Sequence, residues 1–383
     1  MPAFGRVTRT TSQSRKKLPT ITCKIPRMPE RRLQEVRRHL EKARLDALVV
    51  SHLPHVRYLS GFSGSNGLCV ISLSRQSVFT DNRYRDQIRD EVEGFRIHVA
   101  RAGLFEAAQK SGILKGVRRA GFEAQYVSFS AFRNLKRLFP ELSLVPTRGI
   151  VEGVAAIKDD GEIESIRRAV AITDSVFSRI LRILKPGIRE MDVAAEIGYW
   201  HKKLGADGDG FEPIVASGVR GALPHARPTM RKIVKGEFVT IDLGCRVCGY
   251  HSDLTRTVAV GQPGKKARTI YRIVLEAQCK AIDAARAGVK SRFLDGLARR
   301  HIRRSGFGPY FSHSLGHGLG IEIHEPLRLS ALSRDVLNAG NVVTVEPGIY
   351  IPGFGGVRIE DDILIREHNC EVLNKAPKEL LIV

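Results

Sequence analysis

The sequence predicts two domains of unlike architecture: a small α/β domain, then a larger α+β domain with a pseudo-twofold internal duplication. Three observations carry this expectation. At 383 residues the chain exceeds what a single hydrophobic core usually organises. Short β-rich runs alternate with helical stretches as far as about residue 150. Beyond that point one local pattern occurs twice. The first copy is Val239-Thr240-Ile241-Asp242, a glycine-rich turn and Ser252-Asp253-Leu254. The second is Val343-Thr344-Val345-Glu346, a glycine-rich turn and Ile359-Glu360-Asp361.

Residues 1–27 hold seven Lys or Arg and no acid. Such a segment cannot bury enough apolar surface to order itself, so it is expected to be a disordered basic extension. Met28, directly before the first periodic segment, is the alternative start of the chain, and a transit peptide is the lesser reading of the extension. Leu33, Val36, Leu40 and Ala43 then recur at helical spacing, and a strand over 46–50 follows. Further β-rich runs at 68–73, 77–80 and 95–99 complete a domain assigned to 28–152. A linker-like stretch, 153–161, leads into the second domain, assigned to 153–383. There the stripe Ile163, Ile166, Val170 and Phe177 predicts a helix over 162–184, stopped by Lys185-Pro186-Gly187. Another helix begins near Arg189, and two more, near 265–287 and 291–304, lie between the two β blocks.

Composition narrows the function class. The formal net charge of +22 admits nucleic acid or anionic surfaces, but the basic residues are dispersed and no nucleic-acid-binding signature accompanies them. No specific nucleic-acid partner is therefore expected. No run approaches the roughly 20 apolar residues that span a bilayer, and no signal-peptide pattern opens the chain, so a cytoplasmic protein without membrane attachment is expected. The six cysteines are scattered and make no disulfide framework, which fits a reducing compartment. Cys245 and Cys248 form one C-x-x-C; without a second pair they read as small turn residues rather than as a zinc or redox site.

The duplicated blocks carry the chemistry. An acid within an apolar strand costs several kcal/mol to bury unless it is paired or metal-bound. Here that cost recurs at Asp242, Asp253, Glu346 and Glu360. A return strand brings its acid back beside the outgoing one, and two related hairpins can aim all four carboxylates at one point, where they require cations. His317, between Gly316 and Gly318, is free to reach inward as a fifth ligand. Mixed oxygen and nitrogen ligands suit a pair of divalent ions such as manganese, cobalt or zinc better than calcium. Such a pair can share a bridging hydroxide that is nucleophilic at neutral pH.

This five-residue set resembles the metal site of the pita-bread metallopeptidases, which include methionine aminopeptidase, aminopeptidase P and prolidase. The strings Ile241-Asp242-Leu243-Gly244, His317-Gly318-Leu319-Gly320, Val345-Glu346-Pro347-Gly348 and Arg358-Ile359-Glu360-Asp361-Asp362 carry the resemblance. Residues 28–150, with Thr80-Asp81-Asn82-Arg83-Tyr84, resemble the extra domain of the proline-specific branch, which methionine aminopeptidases lack. The resemblance implies that His225, His313 and His324 line the substrate pocket. It also implies that Arg358 orients a metal-bound carboxylate, and that the protein is a homodimer. His313 stands one helical-turn spacing before His317, and Gly218-Val219-Arg220-Gly221 departs from the small polar residues expected of the family. The implied activity is hydrolysis of the bond between an N-terminal residue and proline, aminopeptidase P-like, by a hydroxide bridging two ions, manganese ahead of cobalt or zinc. A prolidase restricted to dipeptides is the alternative, and a non-catalytic binding relative the lesser one. Glu346 is the expected proton shuttle, with His324 and His225 completing the catalytic set.

Overall fold

The computed structural model describes residues 29–383. The expectations for residues 1–27 and for Met28 lie outside the described residues. The first domain opens with α1 (Pro29–Lys42), which turns Leu33, Val36 and Leu40 inward. Ala43, expected on the same stripe, falls beyond the helix end and is exposed; Leu45 is the next buried position. Then come β1 (Ala47–Val50), α2 (Leu53–Ser60), β2 (Leu68–Ser72), β3 (Gln76–Asp81), α3 (Gln87–Glu91), β4 (Arg96–Ala100), α4 (Leu104–Ser111), β5 (Arg119–Glu123), α5 (Phe129–Leu138), β6 (Ser143–Thr147) and α6 (Ile150–Ala155). The six strands form one mixed sheet in the order β4-β3-β2-β1-β5-β6. All four residues of β1 are buried, as a continuous apolar run predicts for a central strand covered on both faces. Residues of α4 and α5 pack on one face, and residues of α1, α2 and α6 on the other.

The linker expected over 153–161 is mostly helix. The boundary expected at 152/153 falls inside α6, and only 156–159 separate α6 from α7 (Asp160–Leu181). Val151 and Ala155 are buried in the same core as Leu33, Val36 and Leu40 of α1, and that burial favours helix over a linker. Asp159 and Glu162 form a capping box that starts α7, and Ile163, Ile166, Val170 and Phe177 are buried as expected.

The second domain continues with α8 (Glu190–Lys203), β7 (Gly208–Asp209), β8 (Ile214–Ser217), β9 (Phe238–Leu243), β10 (Cys245–Val247), β11 (Tyr250–His251) and β12 (Leu254–Ala259). After α9 (Lys265–Asp283) and α10 (Ser291–Arg304) come β13 (Gly316–Gly318), β14 (Glu325–Leu329), β15 (Val342–Val345), β16 (Gly348–Ile351), β17 (Gly355–Arg358), β18 (Asp361–Ile365) and β19 (Cys370–Val372). The duplication is plain in the pairing. β9 pairs antiparallel with β12 around the inserted hairpin β10–β11, and β15 pairs antiparallel with β18 around the inserted hairpin β16–β17. The glycine-rich turns of the sequence are thus themselves short hairpins. Cys245 belongs to one of them, as a free, buried strand residue rather than a turn residue. Cys248 holds the turn at φ 53°. No helix among the described residues is long and apolar enough to cross a membrane.

Candidate metal centre

Strand register brings the five expected ligands together. Asp242, near the end of β9, lies opposite Thr255 of β12, so Asp253 returns beside it just before β12 begins. The backbone N–H of Glu360 donates to the Thr255 carbonyl at 3.1 Å, which stitches the second β block to the first. His317 enters from β13, where the register shifts between His317 and Gly318; such a bulge re-aims a side chain. The His317 N–H donates to Thr344 Oγ1 at 3.1 Å, and the Glu346 N–H donates to the Leu315 carbonyl at 2.8 Å. Two glycines permit this closeness. A Cβ on Gly244 would stand 2.1 Å from the Ser252 carbonyl oxygen, and one on Gly316 would stand 2.0 Å from that of Thr344.

Asp253, His317 and Glu360 each offer a ligand atom, and these atoms lie within 4.8 Å of one another. His317 Nε2 is 3.5 Å from Glu346 Oε1 and 3.7 Å from Asp253 Oδ2. Two ligands of one tetrahedral ion stand roughly 3.3 Å apart, given bond lengths of about 2.0–2.1 Å. Arg358 Nη2 donates to Asp242 Oδ2 at 2.5 Å, while Asp242 Oδ1 is buried without a partner. That orphaned oxygen, and the crowding of four carboxylates, fit the residues to cations. Burial first, and then the neighbouring acids, push the Asp253 carboxyl well above the usual range. Glu360 is raised likewise by burial and by Glu346 and Asp242. Glu346 is raised by burial and by Asp242 against the pull of Arg358. Burial and the nearby His324 lower His317 to about 3, which keeps its imidazole neutral, as a ligand must be; its Nδ1 lies 3.1 Å from the Gly318 carbonyl oxygen, leaving Nε2 for the site.

The remaining expected residues line the same cleft of about 480 Å³: His225, His313, His324 and Arg358, beside all five ligands. The His324 ring meets that of His317 edge-on at 4.4 Å. His225 and His324 are exposed at the mouth. His313 does not sit a helical turn from His317: residues 312–315 are irregular, and His317 is on a strand. His313 Nε2 lies 2.9 Å from the Tyr350 hydroxyl, which also accepts from Arg358 Nη1 at 2.9 Å. Gly218-Val219-Arg220-Gly221 lies in a 3-10 helix outside the cleft wall, where Arg220 pairs with Glu190 at 3.1 Å.

Sequence reasoning missed Tyr350, Thr255 and Thr344. Thr255 donates to Glu360 Oε2 at 2.6 Å and accepts from Arg358 Nε at 3.0 Å. A signal existed for two of them: Thr255 follows Asp253 by two residues, and Thr344 precedes Glu346 by two, the spacing that shares a strand face. Tyr350 had none, because β16 approaches the site only through the inserted hairpin.

Residues 164–367 match the model of metallopeptidase family M24, and residues 32–157 match that of the creatinase/prolidase N-terminal domain. An Xaa-Pro dipeptidase of Pyrococcus furiosus is 37% identical over 91% of this chain and 99% of its own length. An Xaa-Pro dipeptidase from Bacillus anthracis has a solved structure with a TM-score of 0.90, at 40% identity over 93% of this chain and 100% of that one. The solved X-Pro aminopeptidase of Thermotoga maritima gives 0.84, at 34% identity over 90% and 100%.

Proposed function

The chain belongs to metallopeptidase family M24, and from that premise we propose that it hydrolyses the peptide bond between an N-terminal residue and a following proline. The observation that carries the proposal is a single cleft lined by five metal-type ligands, three further histidines and Arg358. Relatives named Xaa-Pro dipeptidase favour dipeptide substrates, and the aminopeptidase relative keeps longer Xaa-Pro peptides as the second reading.

Asp253 and Glu360 would be shared by two divalent ions, with Asp242 completing one site and His317 and Glu346 the other; manganese comes ahead of cobalt or zinc for a mainly carboxylate set. When bound, the ions supply Lewis-acid activation of water and of the scissile carbonyl. The chain's own residues do the rest. Glu346, less deeply buried than the other acids, takes the proton from the attacking water at its carboxylate and returns it to the proline nitrogen, which must gain a proton to leave as an amine. His324, at the mouth, donates a hydrogen bond to the carbonyl oxygen as it becomes negative. Arg358 holds Asp242 and Tyr350, and Tyr350 in turn fixes His313 against the substrate. We also place the protein in the cytoplasm, from its scattered cysteines, and take it as a homodimer, from the resemblance of its sequence.

The test is hydrolysis of an Xaa-Pro dipeptide, an Xaa-Pro-Yaa tripeptide and an Xaa-Ala dipeptide by metal-reconstituted protein. Cleavage confined to the first, or to the first two, separates dipeptidase from aminopeptidase. Equal cleavage of Xaa-Ala would overturn the proline assignment.

A further inference from the structure

A second group of metal-ligating side chains lies outside this cleft. His52 and His55 stand at the start of α2, and Glu322 lies in the loop two residues ahead of His324. Each of the three offers an atom within 4.8 Å of the others. His52 Nε2 is 2.8 Å from Glu322 Oε1, and His55 Nε2 is 3.7 Å from Glu322 Oε2.

These side chains are held from behind. His55 Nδ1 lies 2.5 Å from Glu123 Oε1, and the other Glu123 oxygen accepts from the Ser51 and His52 backbone N–H groups at 2.7 and 2.9 Å. The His52 ring stacks on Tyr126 with centroids 3.6 Å apart. A histidine that binds a metal characteristically donates its other ring N–H to a carboxylate, which fixes the tautomer and aims the free nitrogen. His55 is arranged in this way, with Nε2 turned toward Glu322. A hydrogen-bonded bridge would draw His55 Nε2 to about 2.9 Å from Glu322. The observed 3.7 Å is longer than that, whereas His52 Nε2 and Glu322 Oε1, at 2.8 Å, share a hydrogen bond that a bound ion would replace. His52 and Glu322 keep 20% and 23% of their side-chain surface exposed, which leaves a route for an ion and a place for water.

We infer that His52, His55 and Glu322 form a third, mononuclear site for a divalent transition ion, zinc or cobalt in class, with water in the open position. Two imidazoles and one carboxylate favour such an ion over magnesium or calcium. The site joins the first domain to the loop that carries His324, so its occupancy would set where that loop rests.

The experiment strips the full chain with chelator, reloads it with zinc, removes loose metal and counts ions per chain by mass spectrometry. Wild type is expected to hold one more ion than His52→Gln and one more than Glu322→Gln. This difference does not depend on how many ions the cleft holds, so it stands apart from the proposed peptidase activity. Cobalt loading adds a second readout: the visible absorption of a low-coordinate site should be lost in both variants. Circular dichroism identifies any variant that fails to fold, and the other then decides. Equal ion counts and equal cobalt spectra in wild type and a folded variant would overturn the assignment and leave the cluster a hydrogen-bonded bridge.

Discussion

At the residue scale, the cleft rests on Arg358. Its guanidinium donates to Asp242, Thr255, Tyr350 and the Pro224 carbonyl, all within 3.1 Å. Lysine keeps the charge but loses the fork, so Arg358→Lys is predicted to lower turnover by about tenfold or more while the chain stays folded. Steady-state kinetics beside a melting curve check this. His324→Ala is predicted to cost on the order of a hundredfold in turnover, about 3 kcal/mol, with the ion count unchanged; near-normal turnover would make His324 a bystander. Asp253→Ala is predicted to reduce the ion count by two, because a shared ligand serves both ions, and metal analysis reads this directly. Much of the site was legible in the sequence because each costly strand acid stands out from its apolar neighbours. Tyr350 was not, since a tyrosine on a short strand carries no such anomaly.

At the element scale, the β13–β15 contact sets where His317 points. A Cβ on Gly316 would meet the Thr344 backbone, which cannot swing aside as a side chain can. Gly316→Ala is therefore predicted to cost about 1–3 kcal/mol in urea unfolding and to weaken metal retention. The start of α7 carries a pH dependence. Glu162 is buried, and burial raises its carboxyl from 4.5 to about 7 despite Arg32, whose guanidinium lies closer to Asp159 (3.0 Å) than to Glu162 (3.7 Å). A folded-state value above the unfolded one gives stability that is fully present below pH 4.5 and lost as pH rises through about 7. Glu162→Gln removes that loss. The stability of the variant relative to wild type should rise between pH 4.5 and pH 8, by at most about 3 kcal/mol. A difference that stays flat across this range would show that Glu162 ionises freely in the folded chain.

At the scale of the whole molecule, the domains share a core. Leu33, Val36 and Leu59 of the first domain fall in one buried cluster with Ile166, Tyr250, Leu319 and Leu364 of the second. Lys158 and Glu325 add a buried ion pair between the approach to α7 and β14. Lys158→Met is predicted to cost about 3–5 kcal/mol because it strands the Glu325 carboxylate, and Lys158→Met combined with Glu325→Leu should recover much of the loss. Denaturant unfolding of the two variants tests this. A single cooperative transition in the wild type is the corresponding expectation for a core that crosses the domain boundary.

The sequence by itself determined the α/β and α+β order, the duplicated β blocks and the four strand acids that meet in the cleft. Those features are written in local periodicity and in the cost of acids within apolar strands, and both can be read along a line. Tertiary structure alone decided that 150–155 is helix, because its partners lie in α1, far away in sequence. It alone placed His52 and His55 beside Glu322, some 270 residues distant along the chain. It also decided that Tyr350 links Arg358 to His313. Contacts between segments far apart in sequence leave no periodic trace, since each residue involved is ordinary among its own neighbours.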